Sequence, residues 1–188
     1  DIAPVDAFAE VARRHEAIMF IDEAHATGVF GPDGRGLAAH LEGRPDTIVL
    51  RTCGKAMGCE GALVLGPRIV REFLVNRGRA FIFSTAPSPL VCAAVREAIR
   101  MLADEPRRRE DLSALVRHAE RALEPFGVEP TGSQILPLIL HEDARTMRVA
   151  EALQQAGFDV RGIRPPTVPQ GTSRLRNSLT LNVTRDDI

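Results

Sequence analysis

Lysine is nearly absent from this sequence. Of its 24 basic residues, 23 are arginines and one is Lys55. No uninterrupted apolar run approaches the roughly 20 residues that a membrane span needs, and no basic and apolar signal peptide opens the chain. The 25 acidic residues balance the bases without a long block of one sign, which argues against nucleic acid or a membrane as a partner. These absences favour a soluble globular protein with a cytoplasmic location.

Cysteine is scarce as well. Cys53, Cys59 and Cys92 are odd in number and lack the paired spacing of metal ligands. They predict reduced thiols in a cytosolic protein, with neither a disulfide framework nor a metal site.

Residues 1–103 have the pattern of an α/β sheet domain, in which short apolar runs alternate with helical periodicity. The run at 18–21 suits a strand buried on both faces. Prolines are favoured at the first position of a helix and mark the expected helix starts. The predicted strands are 18–21, 47–50, 62–65 and 81–83, and the predicted helices begin at Pro4, Pro67 and Pro89.

Residues 104–188 predict a smaller α+β domain. The run from Ala103 to Pro106 breaks the helical pattern and marks the expected boundary. Pro137 lies inside a predicted strand and is tolerated best at a sheet edge, and Gly157 is a good C-cap. The predicted strands are 135–140, 158–163 and 179–183, with helices before and after the first of them. Both chain ends resemble cuts, so we expect a longer protein.

Reactive side chains follow the ends of two predicted strands. Asp22 follows the first apolar run with His25 three residues later, and Lys55 follows the second run. Ligands of open α/β sheets bind outside the carboxyl ends of the strands, so these groups could share one crevice. Taken singly, an aspartate there is more often a cap or turn residue, and a lone histidine is usually structural or solvated.

Together the three groups match the needs of a pyridoxal phosphate enzyme. A lysine amine can lose its proton and form an imine with the cofactor aldehyde, whereas a guanidinium stays protonated. An aspartate can keep the pyridine nitrogen protonated, so that the ring accepts electrons from a substrate carbanion. Histidine can bond the phenolic oxygen, and the Thr52 hydroxyl could donate to the phosphate. The segment at Gly54 is not a P-loop, because the spaced upstream glycine and the following serine or threonine are missing.

The segments DEAHATGVFGPDGRG (22–36) and TCGKAMG (52–58) resemble those of the α-oxoamine synthases, a family of fold-type I pyridoxal phosphate enzymes. The match runs in unbroken order over essentially the whole chain. It implies that 1–103 is the C-terminal part of the large cofactor-binding α/β domain and that 104–188 is the smaller α+β C-terminal domain, truncated. The family's upstream half, with its phosphate loop and ring-stacking histidine, is absent, so the isolated chain is expected to bind the cofactor poorly and to be inactive.

The resemblance also implies roles for individual residues. Lys55 would form the Schiff base and act as acid and base at the substrate α-carbon. Asp22 would contact the pyridine nitrogen, and His25 would contact the phenolic oxygen. The other implied contacts are those of Thr52, Ser84 and Thr85 with the phosphate, the last two across a dimer interface, and those of Arg176 and Thr167 with the substrate.

Within the family, the segment IRPPTVPQGTSRLR (163–176) is most similar to the branch that acts in biotin synthesis. That branch condenses L-alanine with a pimeloyl thioester of coenzyme A or acyl carrier protein and releases carbon dioxide and a thiol. Two alternatives stay open: a glycine-using relative of the 5-aminolevulinate synthase or 2-amino-3-ketobutyrate ligase type, and a non-catalytic fragment or paralogue kept for an interface. A homodimer is expected from the resemblance.

Overall fold

The computed structural model describes residues 2–188, which form two compact units. The first unit is residues 3–109, and the second comprises 110–188 together with Ile2. The boundary predicted at 103/104 lies upstream of this division, and as an assignment of functional domains it stays a prediction. Among the described residues, no helix has the length and apolar character that crossing a membrane requires.

A three-stranded sheet forms the centre of the first unit, in the order β1-β2-β3. Its strands are β1 (Met19–Asp22), β2 (Thr47–Thr52) and β3 (Ala62–Leu65). β1 and β2 are parallel, with Asp22 opposite Leu50, whereas β2 and β3 are antiparallel. The carboxyl ends of β1 and β2 therefore meet at one edge of the sheet, where the loop 53–61 begins.

The helices of the first unit are α1 (Val5–Arg14), α2 (Arg68–Arg77), α3 (Arg79–Ile82) and α4 (Pro89–Asp104). All of these except α3 start where the prolines predict. Pro4 and Pro67 directly precede α1 and α2, and Pro89 is the first residue of α4. Ser88 caps α4, because its hydroxyl oxygen accepts a hydrogen bond of 3.3 Å from the Leu90 N–H.

Two sequence predictions in the first unit are wrong. The strand near 18–21 is buried on one face only, since Ile21 packs in the core while Phe20 is 60% exposed. Successive side chains of a strand point to opposite faces, and within the described residues α1 covers the face that carries Ile21. The predicted strand 81–83 is instead the short helix α3 and the turn after it. The N–H groups of Phe81 and Ile82 both bond to the Gly78 carbonyl at 2.9 Å, which satisfies them locally.

The second unit contains a three-stranded antiparallel sheet, in the order β4-β6-β5. Its elements are α5 (Pro106–Leu123), which starts before the division between the units, β4 (Ile135–His141), α6 (Asp143–Gln155), β5 (Arg161–Ile163) and β6 (Ser173–Ser178). β4 is an edge strand, which confirms the position expected for Pro137. Gly157 follows the end of α6 with φ 95°, which confirms its role in ending that helix.

The prediction of a strand at 179–183 is wrong. The residues directly before this segment form a strand instead, β6. β6 has one apolar side chain between arginines, Leu175, which is 2% exposed and packs against α6. Its pattern was therefore too polar to recognise. The apolar alternation after it has another cause: Leu179 packs in a separate cluster with Val116 of α5, and Leu181 is 46% exposed. The strand expected at 158–163 is shortened to β5.

An ionic network links Arg51 of β2 to the connection between β1 and β2. Arg51 of β2 is 5% exposed and donates to the Thr27 hydroxyl at 3.2 Å and to the Glu42 carboxylate. Arg35 donates to the other oxygen of the same carboxylate. Partial burial raises the pKa of Glu42, but the hydrogen bonds from Arg35 and Arg51 outweigh it, so that this pKa lies below its usual value.

Replacing Glu42 by glutamine is expected to destabilise the protein by about 3 kcal/mol, because it leaves the buried Arg51 guanidinium without its counter-charge. Urea unfolding at neutral pH measures this change. Since the pKa of Glu42 is lowered in the folded state, the stability difference should be complete above its ordinary pKa of 4.5 and should shrink as the pH falls through the lowered value.

Glu10→Gln is the matched control, because Glu10 pairs with Arg13 and Arg14 on the exposed face of α1. It should leave the unfolding midpoint unchanged within error. Equal effects of the two substitutions would show that the Arg51 network does not stabilise the fold.

An apolar cluster in the first unit joins the loop 53–61 to α4. Cys53 is 2% exposed and packs with Met57 and with Val95 of α4. Burial raises the pKa of the Cys53 thiol, and the neighbouring Cys59 adds to the increase. Cys92 is exposed on α4.

Cys53 should therefore react with iodoacetamide at least roughly tenfold more slowly than Cys92, because a buried thiol with a raised pKa forms little accessible thiolate. Peptide mass spectrometry after timed alkylation measures both rates. In urea the two rates should converge. Equal rates in the native protein would contradict the packing of the loop against α4.

Candidate active site at the carboxyl ends of β1 and β2

Lys55 lies in a tight loop that follows β2. The Cys59 N–H bonds to the Cys53 carbonyl at 2.8 Å, and the Gly58 N–H bonds to the Lys55 carbonyl at 2.9 Å. Cys53 and Met57 point into the cluster with α4, whereas Lys55 is exposed. The loop is thus anchored by its apolar residues and presents the amine of Lys55 outward.

His25 lies in a turn that directly follows β1. The N–H groups of Ala26 and Thr27 both bond to the Glu23 carbonyl, at 3.0 and 2.8 Å. Glycines downstream of this turn have positive φ angles, such as 86° at Gly36. Such angles let the chain reverse within a few residues and return to the core at Ala38, which is fully buried.

The two loops place the predicted lysine and histidine in contact. Nζ of Lys55 lies 3.0 Å from Nε2 of His25. The Lys55 ammonium donates in this pair when His25 is neutral and carries its hydrogen on Nδ1. The amine and the imidazole are therefore within hydrogen-bond distance of each other, although 29 residues separate them in the sequence.

A close approach of the two backbones makes this contact possible. A Cβ added to Gly28 would lie 2.6 Å from the Cβ of Ala56, the residue after Lys55. Gly28 also has φ 79°, in the left-handed region. Glycine is therefore required there both by its backbone angle and by the neighbouring loop.

Asp22 is the last residue of β1 and is exposed. Its Oδ1 accepts a hydrogen bond of 2.8 Å from the Ala24 N–H, which fixes the carboxylate at the edge where His25 begins its turn. Thr52 is the last residue of β2, and its hydroxyl oxygen accepts from the Gly54 N–H at 3.2 Å. A hydroxyl that accepts one bond can still donate its proton to a ligand.

The remaining predicted site residues lie elsewhere. Ser84 and Thr85 are exposed after α3, and the Ser84 hydroxyl donates to the Ala80 carbonyl. Arg176 and Thr167 belong to the second unit. Arg176 lies on the central strand β6, where its Nε is buried and has no hydrogen-bond partner among the described residues. Thr167 is exposed, and its N–H bonds to the Arg164 carbonyl at 3.1 Å.

Sequence reasoning missed one residue of this region, Glu23. It lies between Asp22 and the His25 turn and is 2% exposed. Its carboxylate accepts hydrogen bonds from the N–H groups of Leu37 and Ala38, the first at 3.2 Å. A charged residue directly after a buried strand is a weak signal, because the partners that explain its burial lie 14 and 15 residues downstream.

The chain is similar to known proteins over its whole length. The family model for aminotransferase class I and II matches residues 1–188. The chain is 47% identical over 184 residues to the 8-amino-7-oxononanoate synthase of Anaeromyxobacter dehalogenans, which covers 96% of this chain and 46% of that protein. The chain thus spans about half the length of the relatives it matches.

Two solved structures share the fold. The serine palmitoyltransferase of S. paucimobilis, with a bound PLP–myriocin aldimine, superposes with a TM-score of 0.90 at 30% identity, over 100% of this chain and 48% of that one. The 8-amino-7-oxononanoate synthase of Francisella tularensis superposes with a TM-score of 0.80 at 25% identity, over 96% of this chain and 54% of that one.

These comparisons confirm the resemblance, the fold type and the cofactor class predicted from the motifs. The motif that carries the lysine lies inside the matched region, as does the motif that carries Asp22 and His25. The chain belongs to the aminotransferase class I and II family.

Proposed function

We propose that the protein containing this chain is a pyridoxal phosphate enzyme that condenses L-alanine with a pimeloyl thioester to give 8-amino-7-oxononanoate, carbon dioxide and a free thiol. The observation that carries the proposal is the 3.0 Å contact between Lys55 and His25, at the sheet edge where Asp22 ends β1. Together these groups offer an amine, an imidazole and a carboxylate.

The residues present fit pyridoxal phosphate. The only lysine of the chain is exposed, so its amine is accessible to an aldehyde. A carboxylate suits a protonated pyridine nitrogen, an imidazole suits a phenolic oxygen, and a hydroxyl donor suits a phosphate. When bound, the cofactor supplies an aldehyde that reacts with amines and a ring that accepts the electron pair of the amino acid α-carbon.

Lys55 is proposed to hold the cofactor and to move the proton at the substrate α-carbon. Its Nζ takes this proton and later returns one to the product, a transfer that requires an amine able to lose its charge. His25 orients Nζ through the 3.0 Å contact. None of the 23 arginines could take the place of Lys55 in this proton transfer, since a guanidinium stays protonated.

Asp22, Thr52, Ser84 and Thr85 are proposed to bind the cofactor. Asp22 would hold the pyridine nitrogen, and Thr52 would donate its hydroxyl proton to the phosphate. In a homodimer, Ser84 and Thr85 of one subunit would contact the phosphate of the cofactor bound to the other subunit. The exposure of both residues on the first unit is compatible with such an interface.

Arg176 is proposed to bind the carboxylate of the amino acid substrate, with Thr167 nearby in the sequence as a further substrate contact. A guanidinium bonds a carboxylate through two parallel N–H groups, a geometry that a lysine cannot supply. The buried Nε of Arg176 supports this role, because a polar group without a partner is costly and a ligand would satisfy it.

The choice of L-alanine and a pimeloyl thioester is supported by the relatives named 8-amino-7-oxononanoate synthase, at 47% and 46% identity in two Anaeromyxobacter strains. The thioester carrier is either coenzyme A or an acyl carrier protein. Serine palmitoyltransferase shares the fold, so the amino acid is the feature that the experiments must establish.

Lys55→Arg in the full-length protein should abolish the covalent pyridoxyl adduct that borohydride forms at this position, because a guanidinium cannot react with the aldehyde. Condensation should fall by at least about 10²–10⁴-fold, the usual contribution of a proton-transfer group. Peptide mass spectrometry of the reduced protein measures the adduct, and thiol release measures the reaction.

Arg51→Lys is not a suitable control, since Arg51 is buried in the ionic network. Arg71→Lys is a better control, because Arg71 is exposed on α2 and the substitution exchanges the same two residue types in the reverse direction. It should leave the Lys55 adduct intact. Absence of a pyridoxyl group at Lys55 in the wild-type protein would overturn the proposed function.

Substrate trials with the full-length protein should give carbon dioxide and free thiol from L-alanine and pimeloyl-coenzyme A. Turnover should be at least tenfold greater than with glycine, roughly the smallest discrimination that one methylene provides, and also greater than with L-serine. Isotope-labelled carbon dioxide and a thiol reagent measure both products. Preference for glycine would place the protein among the glycine-using relatives. Turnover of no amino acid with either pimeloyl-coenzyme A or pimeloyl-acyl carrier protein, by a protein that binds the cofactor, would favour the non-catalytic alternative.

A further inference from the structure

Glu23 is a buried carboxylate for which the proposed chemistry has no use. It is 2% exposed, and its neighbours in sequence, Asp22 and Ala24, belong to the sheet edge. A buried charge is costly unless hydrogen bonds satisfy it. Glu23 receives two of them, from the N–H groups of Leu37 and Ala38, and bonds of this type to a charged acceptor are among the strong ones.

These hydrogen bonds hold the two ends of a loop together, because they join Glu23 before the loop to Leu37 and Ala38 after it. The loop, residues 24–36, leaves at Glu23 and returns beside the same carboxylate. A Cβ on Gly36 would overlap that carboxylate, so the carboxylate occupies the space of the missing side chain. Inside the loop, the Gly28 N–H bonds to the Gly34 carbonyl and the Gly36 N–H to the Phe30 carbonyl, both at 2.7 Å.

The same residue also anchors the turn that bears His25. The Glu23 carbonyl accepts bonds from the Thr27 N–H at 2.8 Å and from the Thr27 hydroxyl at 2.9 Å. Gly28 then abuts Ala56, the neighbour of Lys55. The Glu23 backbone thus fixes the turn that bears His25, and the Glu23 side chain fixes the end of the loop that this turn begins.

We propose that Glu23 is a positioning residue, whose buried carboxylate sets the contact between His25 and Lys55 by pinning the loop that returns at Leu37 and Ala38. The importance of that contact for catalysis rests on the proposed function. The pinning itself does not, because it depends only on hydrogen bonds within the first unit.

Glutamine cannot replace this carboxylate, although it has the same size. Both carboxylate oxygens accept, and each faces one of the two backbone N–H groups. The glutamine amide has one acceptor and one donor, so its NH₂ group would face the N–H of either Leu37 or Ala38. One bond is lost and two donors are brought together.

Hydrogen exchange of the full-length protein tests the pinning. In the wild type, the amides of Leu37 and Ala38 should exchange slowly, as buried hydrogen-bonded amides do. Glu23→Gln should speed their exchange by roughly 10- to 100-fold, the equivalent of losing one buried hydrogen bond. Glu60→Gln is the matched control, because Glu60 is an exposed carboxylate in the lysine loop, and it should change neither rate.

A second measurement tests the effect on the site. Reaction of His25 with diethyl pyrocarbonate in the cofactor-free protein should become several-fold faster in Glu23→Gln, because the imidazole is no longer held against Lys55. Borohydride trapping of pyridoxal phosphate at Lys55 should become less complete. Glu23→Asp, which keeps the charge, should restore part of both properties.

Three results would overturn the proposal. One is fast exchange of Leu37 and Ala38 in the wild-type protein, a measurement that requires no variant to fold. Another is unchanged exchange in Glu23→Gln. The third is faster exchange with an unaltered His25 reaction rate, which would make Glu23 a structural residue only. Failure of the proposed function is read separately, from the wild-type adduct at Lys55.

Discussion

The parallel pairing of β1 with β2 is the constraint on which the candidate site depends. With Asp22 opposite Leu50, the two strands end side by side, and the segments that follow them leave from one edge. Had the strands been antiparallel, their carboxyl ends would lie at opposite edges of the sheet, and His25 could not lie 3.0 Å from Lys55. The connection through residues 23–46 makes this geometry possible, because parallel strands need a long crossover.

Buried charges fix the shape of the connection between β1 and β2. Arg51, on the central strand, reaches Glu42 and the Thr27 hydroxyl, and Glu23 reaches the backbone at Ala38. Each group is nearly inaccessible to solvent, so it is stable only when its hydrogen bonds are complete. Such contacts select one arrangement of the loop, since alternatives would leave a charge unsatisfied. The exposed Lys55 gains its position separately, from the packing of Cys53 and Met57 against α4.

Much of the local structure could be predicted from the sequence. The helix starts at or directly after Pro4, Pro67 and Pro89 and the edge position of Pro137 have local causes, in fixed proline angles and in a missing N–H. The strand near 18–21 was recognised, but its burial was overestimated, because an apolar run does not reveal which faces are covered. Phe81 was assigned to a strand for a similar reason: apolar runs this short fit a strand or a helical turn equally well.

The sequence by itself determined the chemistry available: one amine, the carboxylate and imidazole of the DEAH segment, and the motifs that place the chain in its family. Residue types and their order are sufficient for that, since reactivity belongs to the side chain. Tertiary structure alone decided that His25 meets Lys55, that Glu23 is buried against Leu37 and Ala38, and that β6 rather than the next segment forms the central strand. Those outcomes depend on contacts between residues distant in sequence, and such contacts leave no local pattern.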